Sequence, residues 1–314
     1  MVLHRRRVLR AAAATTLASV AGCTSAVFGD GDDESRTYGL DVERISASPV
    51  EHALYEPSDD ELFGDPARTA LDAVLPEGRH TTHGYRPVSA DLYVEHGGTY
   101  YQTESVVTGR ERMERTLVRA EPIDREAASD DAIPVDSLER PAARVVKMLH
   151  SNAQTGGEGG SAELLRGDAY VLRRPAERES ALAAGEFDGR VVTMKAGGPW
   201  LYRIRTTRTE IVETSYTLVA VAVADSRAAF REVVFGSRID AELDPADLSS
   251  EVRETLETAV GRGGYEETTP LSKSYDALLD RLGLGGVDEF ANGRLLWYDG
   301  ELYRYALYVD DAES

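Results

Sequence analysis

The sequence predicts an α+β protein built from three tandem β-α-β-β units, each an antiparallel meander with one helix packed against it. Three observations lead there. The stretches "LYVEHGGTYYQT" (92–103), "VVTMKAGGPWLYRIR" (191–205) and "LLWYDGELYRYAL" (295–307) each read strand, glycine turn, strand. Short strings recur inside them and just before them: Leu201-Tyr202-Arg203 returns as Leu302-Tyr303-Arg304, and Glu186-Phe187 with Gly189-Arg190 returns as Glu289-Phe290 with Gly293-Arg294. A helical pattern precedes each hairpin, and a strand pattern precedes each helix.

In chain order, the first element is "RRRVLRAAAATTLASVAGC" (5–23), four arginines ahead of an apolar run that ends on the only cysteine. The run is too short to span a bilayer and has the layout of an export signal. Arg5-Arg6-Arg7-Val8-Leu9-Arg10 resembles the twin-arginine export motif, and Val20-Ala21-Gly22-Cys23 resembles a lipobox. The resemblance implies a signal peptide over 1–22, with Arg5 and Arg6 as its paired arginines, and cleavage before a lipidated Cys23. A two-chain lipid would then hold the protein at the membrane, because one medium chain binds only marginally. Residues 23–36 continue as a small, acidic, aperiodic tether.

The units follow at 37–110, 111–212 and 213–314. Their first strands are expected at Thr37–Ile45, Arg115–Ile123 and Ser215–Val223. Their helices are expected at Pro66–Val74, Leu138–His150 and Ser249–Val260, from apolar residues three and four apart behind capping acids or serines. "TSYTLVAVAVA" (214–224) loses its polar face in its second half and reads as a central strand covered on both sides. Asp299-Gly300 predicts a two-residue turn with positive φ at both positions, which puts Leu296 opposite Tyr303. Tyr303, Tyr305, Leu307 and Val309 then share the face that the helix covers, and Tyr202 and Ile204 share the matching face of unit two.

The chain carries 55 acidic and 35 basic residues, a formal charge of −20, and losing residues 1–22 removes four arginines and no acid, giving −24. Only Lys147, Lys195 and Lys273 are lysines. This acid excess with lysine scarcity, together with the signal, resembles Tat-exported lipoproteins of halophilic archaea. The resemblance implies a place on the outer face of the cell membrane but brings no catalytic residues. At about 1 M salt the screening length is ~3 Å, which removes most of the self-repulsion of such a chain. No basic stripe is present, which argues against nucleic acid as a partner. A single cysteine excludes an internal disulfide.

Candidate chemistry is sparse. His80 and His83 in "RHTTHGY" have a metal-like spacing, but the surrounding threonines and Gly84 favour a strand, on which residues three apart point to opposite faces; they are weak metal candidates. His96 falls in the first hairpin turn. Asp30, Asp32 and Asp33 lack the spacing of a calcium loop, and "TGGEGGS" (155–161) lacks the Lys-Ser/Thr of a phosphate loop. There is no G-x-S-x-G nucleophile elbow. Trp297, Trp200 and Tyr100, beside hairpin turns, are the candidate binding surface, with cross-strand packing as the structural alternative.

The sequence therefore predicts a membrane-anchored, non-enzymatic binding or structural module, with the membrane and an unidentified protein or ligand as partners and no cofactor. The alternative is a surface-anchored hydrolase or metal-dependent enzyme with its site between repeat units.

Overall fold

The computed structural model describes residues 35–124, 131–156, 164–195 and 200–311. Arg5, Arg6, Cys23, the tether to residue 34 and residues 157–161 of the glycine-rich stretch lie outside the described residues. The protein is α+β, with two largely antiparallel sheets. Strand β1 (Arg36–Ile45) leads into helices α1 (Pro49–Ala53) and α2 (Gly64–Val74), then β2 (His80–His83), β3 (Tyr93–His96) and the long β4 (Thr99–Pro122). Next come β5 (Ile133–Pro134), α3 (Ala142–Gln154), β6 (Leu165–Arg166), β7 (Ala169–Leu172), and the short helices α4 (Pro175–Arg178) and α5 (Ala181–Ala184). Strand β8 (Val191–Met194) and a second long strand, β9 (Trp200–Ala224), follow. The remaining elements are α6 (Arg227–Ser237), β10 (Ala241–Leu243), α7 (Ser250–Arg262), β11 (Gly264–Thr268), α8 (Lys273–Arg281) and the hairpin of β12 (Phe290–Tyr298) and β13 (Glu301–Asp311).

The local signals act where expected. Ser249 caps α7 by accepting from the Val252 amide, and Gly263, at φ 80°, ends it in the left-handed conformation. Asp299 and Gly300 both have positive φ, 48° and 77°, and Leu296 lies opposite Tyr303. Helices α7 and α8 cover one face of the five-stranded sheet β10-β12-β13-β1-β11, burying Leu256, Leu278 and Leu279 against Leu40, Leu296, Tyr305 and Leu307.

The strands do not sort into three self-contained tandem units. In three places the strand order is the same: both strands of a hairpin, a neighbour, then the strand that follows the helix. These are β12-β13-β1-β11, β8-β9-β4-β7 and β3-β4-β9-β2. Only the middle set is made of consecutive chain. The expected strand at Ser215–Val223 is the second half of β9 and pairs with β4 and β2 of the first unit. Strand β1, expected in the first unit, instead fills the corresponding place in the C-terminal sheet, between β13 and β11. The reason lies in the two long strands. Nothing stronger than a bulge near Gly109 interrupts β4, and β9 runs on without a break through the same region, so each hairpin strand passes straight into the next unit's first strand. Strands β4 and β9 then pair along their length, from Tyr100↔Ala224 to Pro122↔Tyr202, with Glu111↔Glu213 midway. The first two units thus share one eight-stranded sheet.

Helices α2 and α3 lie on the same face of that sheet. Helix α2 buries Ala67, Ala70 and Val74 against Val94, Tyr101 and Leu218, and α3 buries Val145, Val146 and Leu149 in a cluster with Val118, Tyr170 and Ile204. Leu218 and Ile204 are an even number of residues apart on β9, hence on one face. Helix α6 takes the other face, packing Phe230 and Val234 on Tyr93 and Tyr100. Its Phe235 meets Trp297 of β12 edge to face at 5.6 Å, so α6 bridges the two sheets. The expected two-sided cover of β9 holds for Leu218, Ala220, Val223 and Ala224, but Val221 is 57% exposed.

Candidate functional site

Helix α3 has two working faces. Ala142, Val145, Val146 and Leu149 face the core, while Arg140, Ala143, Arg144, Lys147, Met148 and Ser151 form a stripe along a cavity of about 1260 Å³. Small-molecule sites are usually about 300–1,000 Å³, so the space is ample for a ligand. The opposite wall comes from the turn before α2, with Tyr55, Leu62 and Phe63, and from the loop Gly84–Ser89 that follows β2. Tyr216, on the β9 face of Leu218, completes the lining.

The 84–89 loop is held in place by its own sequence. The Gly84 amide donates to the Thr214 carbonyl at 2.8 Å, and the Thr82 hydroxyl donates to the Tyr85 carbonyl at 2.6 Å. Gly84 has φ 79°, and a Cβ there would lie 2.3 Å from Arg173 Nε and 2.4 Å from Glu213 Oε2, so glycine is required on both counts. The loop places Tyr85 parallel to Phe63, ring centroids 5.7 Å apart, and Arg86 over the Tyr216 ring at 4.7 Å. Arg174 lies 5.5 Å from the centre of the Phe63 ring and donates to the Leu62 carbonyl. Arg174 is fixed in turn by Glu177, a 1% exposed carboxylate that also accepts from the Tyr170 hydroxyl and the amides of residues 173 and 174.

Among the described residues, four cations line the cavity, Arg86, Arg140, Arg144 and Lys147, against one carboxylate, Glu61. Glu61 accepts from the Tyr55 hydroxyl at 2.9 Å, and burial followed by this bond pushes the Tyr55 hydroxyl up to about 12. Lys147 pairs with Asp136 at 2.8 Å. Among the described residues, no carboxylate comes within ion-pair distance of Arg86, Arg140 or Arg144. Burial, then the like charges of Arg140 and Arg174, lower the Arg144 guanidinium from its ordinary value. Burial likewise raises the Tyr85 hydroxyl, keeping it a neutral donor.

The residues singled out from sequence do not meet here. Tyr100 is 6% exposed and stacked on Phe230 at 4.3 Å, so it belongs to the core and not to a surface. Trp200 packs near His150, ring centroids 5.6 Å apart, at the edge of the α3 cluster, and Trp297 rests on Phe235. Trp297 faces away from α7 and α8, the direction the strand alternation predicts. His80 and His83 sit on β2 opposite Leu218 and Ser215, and the extended strand turns their side chains to opposite faces. Among the described residues there is no group of three His, Cys, Asp or Glu side chains placed to hold a metal. His83 Nδ1 does lie 3.1 Å from Ser215 Oγ and 3.7 Å from Glu111 Oε2. Both contacts fall on the same ring nitrogen, whereas a nucleophile–base–orienter relay uses one nitrogen for each partner.

Sequence reading passed over the α3 stripe, although its signal was present: Arg140, Arg144 and Lys147 recur at helical spacing in a chain with three lysines. No family model, curated protein or solved structure matches the chain.

Proposed function

We propose that the protein is a lipid-anchored binding module on the outer face of the cell membrane, tethered through Cys23, whose α3 cavity holds a ligand. The twin-arginine and lipobox strings support the anchor and the export route, and the acidic, lysine-poor composition supports a high-salt setting. The observation that carries the binding reading is the cavity itself. Its walls come from segments far apart in sequence, and it sets aromatic faces beside Arg86, Arg140 and Arg144, within ion-pair distance of which no carboxylate lies among the described residues. Such concave sites with a few convergent polar groups are where ligands bind. Native mass spectrometry of the full chain released from membranes in mild detergent tests this. A co-purifying small molecule is expected in the parent protein and is lost from Ala143→Trp, which sets an indole into the cavity beside Arg140 and Arg144. An identical spectrum for both proteins would overturn the reading.

The alternative, a surface-anchored hydrolase, has one observation in its favour: the contact of Ser215 with His83, near Glu111. Labelling by a fluorophosphonate probe that disappears in Ser215→Ala would establish it.

A further inference from the structure

We propose that the ligand of the α3 cavity is a small organic anion carrying at least two negative charges on a flat ring scaffold. This rests on the cavity being a ligand site and names the chemical class the site selects. Like charges placed close together repel, and here Arg144 and Lys147 stand three apart on α3 with Arg140 just ahead of its first turn. Among the described residues the lining holds one carboxylate, Glu61, which accepts from the Tyr55 hydroxyl, while Lys147 is paired with Asp136 outside the lining. Among the described residues, the guanidinium groups of Arg86, Arg140 and Arg144 thus face the cavity without an ion-pair partner, in a molecule that is acidic overall.

A neutral ligand offers the cations only uncharged acceptors, which are weaker partners than oxyanions, and a cationic one would be repelled. An anion with two or more oxyanion groups answers both, because guanidinium groups donate in a planar fork that matches carboxylate and phosphate oxygens. The parallel Phe63 and Tyr85 rings, and Tyr216 beneath Arg86, add flat surfaces suited to a ring. The overall charge of −20 limits size: a polyanion extending beyond the cavity meets repulsion from the rest of the surface, and one contained within it does not. Ring-borne phosphates and ring-borne carboxylates share this chemistry.

Titration calorimetry of the full chain in detergent, at one fixed salt concentration, tests the proposal with ATP and benzene-1,3,5-tricarboxylate, each against its uncharged counterpart, adenosine and benzene-1,3,5-tricarboxamide. At least one anion is expected to bind about tenfold or more tighter than its counterpart, since charge-assisted hydrogen bonds are each worth that much. Arg144→Gln and Arg140→Gln are expected to lose about tenfold in affinity while the melting temperature holds or rises, because a like charge has left the cluster. A purely structural arginine would lower it. Anions that bind no better than the neutral molecules, or that bind Arg144→Gln and Arg140→Gln as well as the parent, overturn the proposal. If a neutral or cationic compound from a fragment library binds instead and Ala143→Trp abolishes that binding, the anion class falls and the cavity reading stands. If Ala143→Trp alters the binding of nothing, both fall.

Discussion

Arg173 donates through Nε to Glu213 Oε1 at 2.8 Å, with both side chains more than nine-tenths buried at the midpoint of the β4–β9 pairing. Arg115 reaches the same oxygen at 3.4 Å. Glu111 lies directly opposite Glu213 across the strands, yet it is exposed. One buried carboxylate therefore serves two buried guanidinium groups beneath the loop that forms one wall of the cavity.

Removing that carboxylate leaves the buried Arg115 guanidinium without its ion-pair partner and takes one partner from Arg173. Glu213→Ala is expected to cost about 3–5 kcal/mol, since a buried ion left without its partner keeps the full desolvation penalty. Urea unfolding of the two proteins measures it, and a loss under about 1 kcal/mol would mean that water reaches the site.

Gly84→Ala acts on the same cluster from the loop side. The new methyl group meets Arg173 Nε and Glu213 Oε2 in a backbone conformation that L-residues rarely adopt. A loss of at least about 1 kcal/mol is expected, together with weaker ligand binding, because Gly84 also lines the cavity. Unchanged stability and unchanged binding would show that the loop yields freely.

The exchange of strands makes a prediction about distance along the chain. Deleting residues 36–45 removes Leu40 and Val42 from the C-terminal core, more than two hundred residues away in sequence. Limited proteolysis is expected to cut first within 264–311, leaving the segment that holds α2 and β4 resistant. First cuts near α2 would contradict the pairing.

His150 sets a dependence on pH. Burial lowers its imidazole below the ordinary value, and Nδ1 lies 2.6 Å from the Tyr202 hydroxyl. As pH falls below about 6.5 the unfolded chain takes up the proton first. Stability is thus complete above that value and declines towards the lower folded-state pKa. His150→Gln should flatten the fall in melting temperature between pH 7 and pH 5, and equal slopes would exclude His150 as its source.

Salt provides the global test. With a formal charge of −20, the melting temperature is expected to rise from dilute buffer to molar potassium chloride as self-repulsion is screened. A flat profile would show that the acidic surface costs the fold nothing.

Periodicity and turn chemistry act within a few residues, and this is why the hairpins at 92–103, 191–205 and 295–307, the helices α2, α3 and α7, and the positive-φ turn at Asp299-Gly300 were legible in the sequence. Which strand lies beside which was not. A strand pattern says that a segment pairs, not with which hairpin, and β1 and the second half of β9 each join a hairpin from another part of the chain. Their choice is made by the uninterrupted run of β4 and β9, a property of the assembled sheet. The cavity was hidden for a related reason. Arg140, Arg144 and Lys147 read as a solvated helix face until the 84–89 loop, held down by Gly84, brings Tyr85 and Arg86 to the other side of the space they line. Sequence determined the elements and the charge of this protein; only the tertiary structure decided which strands join and where the charge has a surface to face, because both depend on contacts between segments that no local pattern connects.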